Sequence, residues 1–146
     1  MKEVLMHVRI VGAALLAFAA TAALANELER VPPVSHAATR KECGECHMAF
    51  QPGLLPAASW NRIMDDLSDH FGDNASLGPE VVADIRTYLT RNAGPGDGRL
   101  IRITEQRWWT HEHKFGPEVW QRQDVRSRAN CVACHRGAEK GLYEDD

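Results

Sequence analysis

The spacing of large apolar residues predicts two amphipathic helices in the middle of the chain. In the first, apolar positions recur at intervals of three and four between an N-cap at Ser59 and a stop at Gly72. The second begins at Pro79, which suits the first helical position, and ends in the Gly- and Pro-containing stretch 92–98. The apolar positions are Trp60, Ile63, Met64, Leu67 and Phe71 in the first helix and Val81, Val82, Ile85, Tyr88 and Leu89 in the second.

The other segments are shorter and also lack a strand pattern. The polar stretch 26–40 contains Pro32-Pro33 and predicts an extended lead-in. We expect a helical segment from Thr104 that is interrupted at residues 116–117, and a last short helix from Cys131 to about Gly141. No stretch alternates apolar and polar residues over the length of a strand. The pattern therefore predicts a mainly α fold with little or no β structure.

The N-terminal 25 residues have the three parts of a secretory signal. Basic Lys2 and Arg9 precede an uncharged apolar run over residues 10–24, and small residues form an A-x-A site at 23–25. We predict cleavage after Ala25 and a periplasmic protein with a single domain over residues 26–146. An uncleaved membrane anchor is the alternative, because the run approaches the roughly 17–25 residues that span a bilayer.

Removing that segment changes the composition. Of the first 25 residues, 19 are hydrophobic, so the 44% measured over the whole chain overstates the apolar residues left for a core. The predicted mature chain has a mixed and slightly acidic charge. A nucleic-acid binder would show a basic excess or stripe, so we expect no nucleic-acid partner.

All four cysteines occur in two copies of one motif. Cys43 and Cys46 are followed by His47, and Cys131 and Cys134 by His135. C-x-x-C-H is the attachment signature of c-type haem, in which the two thiols form thioethers and the histidine is the proximal iron ligand. The two motifs predict two covalently bound haems c, with His47 and His135 as proximal ligands.

Other uses of four cysteines explain the motif less well. Two disulfides or one four-thiolate zinc site would account for the cysteines of an exported protein but not for a histidine after each pair. A thioredoxin-like redox pair would need a strand-rich framework, which the pattern does not indicate.

The distal iron ligands are predicted from the remaining histidines. His70 lies on the apolar face of the first predicted helix, and His113 follows Trp109 by four residues, which places both rings on one side of a helical turn. His36 in the lead-in and His111 beside His113 are the alternatives. Carboxylates of Asp66, Asp69 or Glu112 are candidates to accept the other ring N–H of a ligand.

The sequence resembles the periplasmic dihaem cytochrome c family over nearly all of its predicted mature length. The matching segments are ECGECHM (42–48), PGLLP (52–56), SW (59–60), HFG (70–72), NASL (74–77), RIT (102–104), EH (112–113) and NCVACH (130–135). The resemblance favours His70 and His113 over His36 and His111 as distal ligands.

The resemblance implies an electron-transfer protein that works between a membrane cytochrome b and a small monohaem cytochrome. With both irons bound by two histidines, electrons would enter and leave at the haem edges, so we expect no small-molecule substrate and no enzymatic activity. The alternative is a haem enzyme or sensor, such as a peroxidase or small-ligand reductase, with one open iron position.

Overall fold

The computed structural model describes residues 30–144; the predicted signal segment and its cleavage site after Ala25 lie outside them. Within this range the helices are α1 (Ala37–Glu42), α2 (Ala57–Asp65), α3 (Pro79–Arg91), α4 (Arg107–Glu112) and α5 (Pro117–Trp120). Short 3₁₀ turns occur at Pro52–Leu54, Leu67–Asp69, Ile103–Glu105, Cys131–Ala133 and Ala138–Lys140. Pairing between extended segments is limited to isolated bridges across the described range, so the predicted mainly α fold is confirmed. No helix of residues 30–144 is long and apolar enough to cross a membrane.

Helices α2 and α3 pack against each other and form the centre of the core. The buried residues of this cluster are Leu55, Trp60, Met64, Ile85 and Leu89. The indole Nε1 of Trp60 donates a hydrogen bond of 2.7 Å to a backbone carbonyl, so its polar atom is satisfied inside the core. The predicted limits of α3 are confirmed, since it begins at Pro79 and is capped by Asn92.

The predicted limits of α2 are wrong at both ends. The helix is capped by Pro56, and the buried hydroxyl of Ser59 instead donates a 2.7 Å hydrogen bond to the carbonyl of Leu100. The helix stops at Asp65, because Asp66 leaves helical geometry at φ −132° and its carboxylate accepts a bond from Ser68. Aspartate and serine often end helices in this way, by offering local side-chain bonds in competition with the helical ones.

Other short elements also differ from the pattern. The lead-in is not extended throughout, because α1 forms from Ala37, four residues after the proline pair, where the prolines no longer restrict the backbone. The segment expected from Thr104 is a 3₁₀ turn followed by α4, and the break at residues 116–117 is the start of α5 at Pro117. The last expected helix is reduced to two 3₁₀ turns that end at Gly141.

The first and last described segments are joined. Val31 N–H donates to the Gly141 carbonyl at 2.9 Å, Arg30 forms a bridge with Leu142, and the Arg30 guanidinium pairs with the Glu144 carboxylate at 2.6 Å. Gly141 has φ +75°, and a Cβ there would lie 1.8 Å from the Val31 carbonyl oxygen. Glycine is therefore required at this contact.

Two candidate haem sites

The first C-x-x-C-H motif begins where α1 ends. Cys43 is the C-cap of the helix and is half-buried, whereas Cys46 is exposed. Gly44 lies so close to α1 that a Cβ would be 2.3 Å from the Arg40 carbonyl oxygen. The absence of a side chain at this position thus lets the motif turn back against the helix.

The ring of His47 faces the ring of His70. Their centroids are 6.2 Å apart and their planes differ by 26°. His47 donates from Nδ1 to the Met48 carbonyl at 2.8 Å, which leaves Nε2 for a metal. His70 is not helical; it is held in a turn by paired backbone bonds with Asp73, of 2.7 and 3.3 Å. Burial, followed by the nearby His47, lowers the pKa of His70, which favours the neutral imidazole that can bind a metal.

The ring of His135 lies beside the ring of His113 at a similar separation, but the two rings meet edge-on. Their centroids are 6.1 Å apart, with planes at 76°. His113 donates from Nδ1 to the Trp109 carbonyl at 3.0 Å, and its ring stacks on the buried Trp109 indole at 4.3 Å and 4°. The predicted contact between the Trp109 and His113 rings is therefore present, although His113 is the C-cap of α4 rather than a helical residue.

The separation of each pair matches a metal ion bound between two imidazoles. A metal–imidazole bond is about 2 Å and a ring nitrogen lies roughly 1 Å from its centroid, which places two axial rings about 6 Å apart. Within residues 30–144, no three or more His, Cys, Asp or Glu side chains converge as metal ligands. The centroid separation of each pair therefore fits an iron that would be bound between the two imidazoles and would receive its other ligands from a porphyrin.

A cavity lies beside the first pair. It has a volume of about 600 Å³ and is lined by apolar and charged side chains: Ile63, Phe71 and Ile101 with Arg62, Asp65, Asp66 and Asp69, next to His70 and Gly72. This volume is within the range of about 300–1,000 Å³ that is typical of ligand and cofactor pockets. The space adjoining His70 is therefore large enough for an organic cofactor.

The dihaem cytochrome c family model matches residues 39–143 of this chain. The protein is a member of the dihaem cytochrome c family. Membership confirms the two covalently bound c-type haems expected from the paired motifs. The curated proteins that were compared include no match to this chain.

This dihaem cytochrome c is similar to three solved structures. Two are from Rhodobacter sphaeroides: one is 43% identical, with 75% of this chain and 98% of that chain covered and a TM-score of 0.69, and the other is 40% identical, with 77% and 99% covered and a TM-score of 0.69. The third is a dihaem cytochrome c of Shewanella baltica, 40% identical, with 74% and 86% covered and a TM-score of 0.68.

The cysteines of this dihaem cytochrome c do not fit the other uses considered for them. No disulfide joins any two of these four cysteines. Burial raises the pKa of the Cys131 thiol to about 11 and also raises that of Cys43. A redox-active cysteine pair requires a lowered pKa, because the thiolate is the nucleophile. The thiol electrostatics therefore disfavour a thioredoxin-like pair, and the four-thiolate zinc site has no counterpart in the described range.

The two alternative histidines are placed elsewhere in the fold. His36 stacks on Tyr88 at 4.9 Å, and its ring nitrogens contact the Thr39 hydroxyl at 3.0 Å and the Asp84 carboxylate at 3.2 Å. His111 is largely exposed and contacts Glu112 at 2.8 Å. Glu112 thus pairs with His111, and backbone carbonyls accept the Nδ1 protons of His47 and His113.

Two residues that the sequence did not single out connect the segment after the first motif with the second site. Tyr143 meets the His135 ring edge-on at 5.6 Å and donates its hydroxyl to the Gln51 side chain at 2.5 Å. Gln51 is fully buried and donates from Nε2 to the Ala138 carbonyl at 2.7 Å. Glutamine and tyrosine in loops follow no periodic pattern; the one available signal is that Gln51 lies four residues after His47.

Proposed function

We propose that this dihaem cytochrome c is a periplasmic electron-transfer protein in which both irons have two histidine ligands. His47 and His70 would bind one iron, and His135 and His113 the other. The observation that carries the proposal is that one further histidine lies beside each motif histidine, at 6.2 and 6.1 Å between ring centroids.

The hydrogen bonds around the histidines support fixed orientations of the imidazoles. The haem, when bound, supplies a one-electron Fe(III)/Fe(II) couple. The chain holds the rings in place: the Met48 and Trp109 carbonyls accept the Nδ1 protons of His47 and His113, which orients the imidazoles and raises their basicity. Two filled axial positions leave no place on the metal for a substrate, which favours a carrier over the alternative of an enzyme or sensor.

Ligation by two histidines also supports low reduction potentials, because a thioether ligand in place of one imidazole raises the potential. The N-terminal signal pattern supports the periplasmic location. We infer the donor and acceptor from the family resemblance: a membrane cytochrome b on one side and a small monohaem cytochrome on the other.

The decisive experiment compares four single variants of the holoprotein: His70→Met and His113→Met, with His36→Met and His111→Met as matched controls. Intact mass spectrometry first establishes two haem additions on the wild-type chain. We expect a low-spin ferric spectrum for the wild type and no rapid carbon monoxide binding after reduction. Each distal variant should change the spectrum and raise the potential of one haem, whereas the controls should leave both haems unchanged.

Two results would contradict the proposal. A high-spin ferric band or rapid carbon monoxide binding in the wild type would favour the enzyme or sensor. A spectral change in His36→Met or His111→Met, with His70→Met or His113→Met silent, would assign the ligands to the other histidines.

A further inference from the structure

The two haem sites lie in segments of opposite charge. Residues 42–73, which hold the first motif and His70, contain six acidic residues and one arginine. Residues 122–136, which hold the second motif, contain four arginines and one aspartate. All four arginines, at 122, 126, 128 and 136, are exposed, and the single aspartate, Asp124, pairs with Arg122 and leaves a net excess of three. The second haem site therefore carries a positive surface on a chain whose formal charge is negative.

The loop before the second motif is anchored so that its arginines face outward. Val125 is 1% exposed and fixes the middle of the loop in the interior. Asn130 donates from Nδ2 to the Val125 carbonyl at 2.9 Å and to the Asp124 carbonyl at 3.3 Å. The arginine side chains thus extend from a backbone with a defined position.

The backbone conformation at Arg126 is one that arginine rarely adopts. Its φ is +59°, in the left-handed region that favours glycine or asparagine. Residues held in such conformations are concentrated at functional sites. The Arg126 side chain is exposed.

Trp120 lies between the positive surface and the predicted distal ligand His113. The Arg128 guanidinium lies over the Trp120 ring at 5.3 Å, and Trp120 is 6.3 Å from the His113 ring, between centroids. Val132 is 42% exposed and lies between Cys131 and Cys134, the two residues that carry the thioethers. The exposed apolar side chain of Val132 thus lies in a basic segment. A patch with an apolar centre and a polar rim is typical of protein interfaces.

We propose that this arginine surface, formed by Val132 with Arg122, Arg126, Arg128 and Arg136, is the docking site of an acidic redox protein. The inference rests on the proposed electron-transfer function and assigns the partner of the second haem. Charge complementarity argues for an acidic patch of limited size, because the acidic segment 42–73 would repel an extended anionic surface such as a membrane.

The binding test uses isotope-labelled holoprotein and a flavodoxin, an acidic redox protein, as the probe. At low ionic strength we expect amide shift changes concentrated in residues 114–136, and their loss at high salt. The double variant Arg126→Gln/Arg128→Gln should weaken binding about tenfold. The control Arg91→Gln/Arg99→Gln makes the same change in net charge outside the surface and should bind like the wild type. Shift changes centred on residues 42–73, equal weakening by both double variants, or displacement of the flavodoxin by anionic phospholipid vesicles would overturn the proposal.

A kinetic test uses two one-electron oxidants of opposite charge on the reduced holoprotein. One electron passes from ferrous haem to hexacyanoferrate(III), giving ferric haem and hexacyanoferrate(II), with no bond broken and no proton moved. We expect Arg126→Gln/Arg128→Gln to slow this oxidation about three- to tenfold at low ionic strength and to leave oxidation by hexaammineruthenium(III) unslowed. Equal slowing of both reactions would contradict the proposal.

Failure of the docking site and failure of the proposed function give different results. A holoprotein with two low-spin haems but no binding at residues 114–136 would refute the docking surface alone. A holoprotein with an open iron position would refute the electron-carrier function, whatever its binding of flavodoxin.

Discussion

Replacing Gln51 by leucine tests the hydrogen bonds that join the segment after the first motif to the second haem site. Gln51 is fully buried, accepts the Tyr143 hydroxyl and donates to the Ala138 carbonyl, and Ala138 is itself fully buried. Leucine has a similar size, so the change removes these bonds without opening a large cavity. The Tyr143 hydroxyl then loses this partner, whereas the Ala138 carbonyl keeps a 2.9 Å bond from the Gly141 N–H.

The expected loss follows from the Tyr143 hydroxyl, which is partly buried and is the group left without its partner. Leaving one buried polar group unsatisfied costs about 1–3 kcal/mol, so we expect Gln51→Leu to lower the free energy of unfolding by about 1–3 kcal/mol. For a domain of this size, at roughly 4 °C per kcal/mol, the midpoint of thermal unfolding should fall by about 4–12 °C.

The assay is guanidinium chloride unfolding of the holoprotein, followed by far-ultraviolet circular dichroism and by haem absorbance. A double-mutant cycle with Tyr143→Phe isolates the pair, because removal of the hydroxyl costs little once Gln51 is gone. We expect a coupling energy of about 1 kcal/mol or more. A Gln51→Leu variant within about 0.5 kcal/mol of the wild type, or additive effects of the two changes, would refute this account of the contact.

Two further changes test other contacts of the fold. Trp60→Phe removes the 2.7 Å bond to the Pro52 carbonyl and part of a buried ring, so it should lower the free energy of unfolding by about 1–3 kcal/mol, measured by thermal unfolding. Trp108→Phe, at a half-buried position, is the control and should have a smaller effect. Gly141→Ala places a Cβ against the Val31 carbonyl at positive φ and should destabilise the holoprotein by about 3 kcal/mol or more in the same assay, whereas Gly78→Ala, where a Cβ meets no atom within 4 Å, should cost less. A Gly141→Ala protein as stable as the wild type would show that the two chain segments do not pack as described.

The features that the sequence predicts well are those encoded within a few residues. The two motifs identify the cysteines with His47 and His135, and a proline at the first position with a regular apolar face defines α3 from Pro79. The neighbour relation of Trp109 and His113 also follows from a four-residue spacing. Short-range geometry is sufficient in each case.

The features that it predicts poorly depend on contacts between distant segments. His70 was placed on a helix face, but Asp66 ends α2 and a turn with Asp73 presents the imidazole instead. The prediction of His70 as a distal ligand thus assumed that α2 continues to His70, whereas α2 ends at Asp65. Gln51 and Tyr143 lie 92 residues apart and follow no periodicity, so their bond is visible only in the folded chain.

The contact of Val31 with Gly141 has a consequence for the folding kinetics. This bond, with those of Gln51 to Ala138 and Tyr143, closes loops of about 90 to 110 residues, and contacts of such high sequence separation carry a large entropic cost before they contribute stability. They are therefore expected to form after the local turns around each motif. The rate at which the chain reaches its native state would then be set by closure of these long loops rather than by formation of the helices.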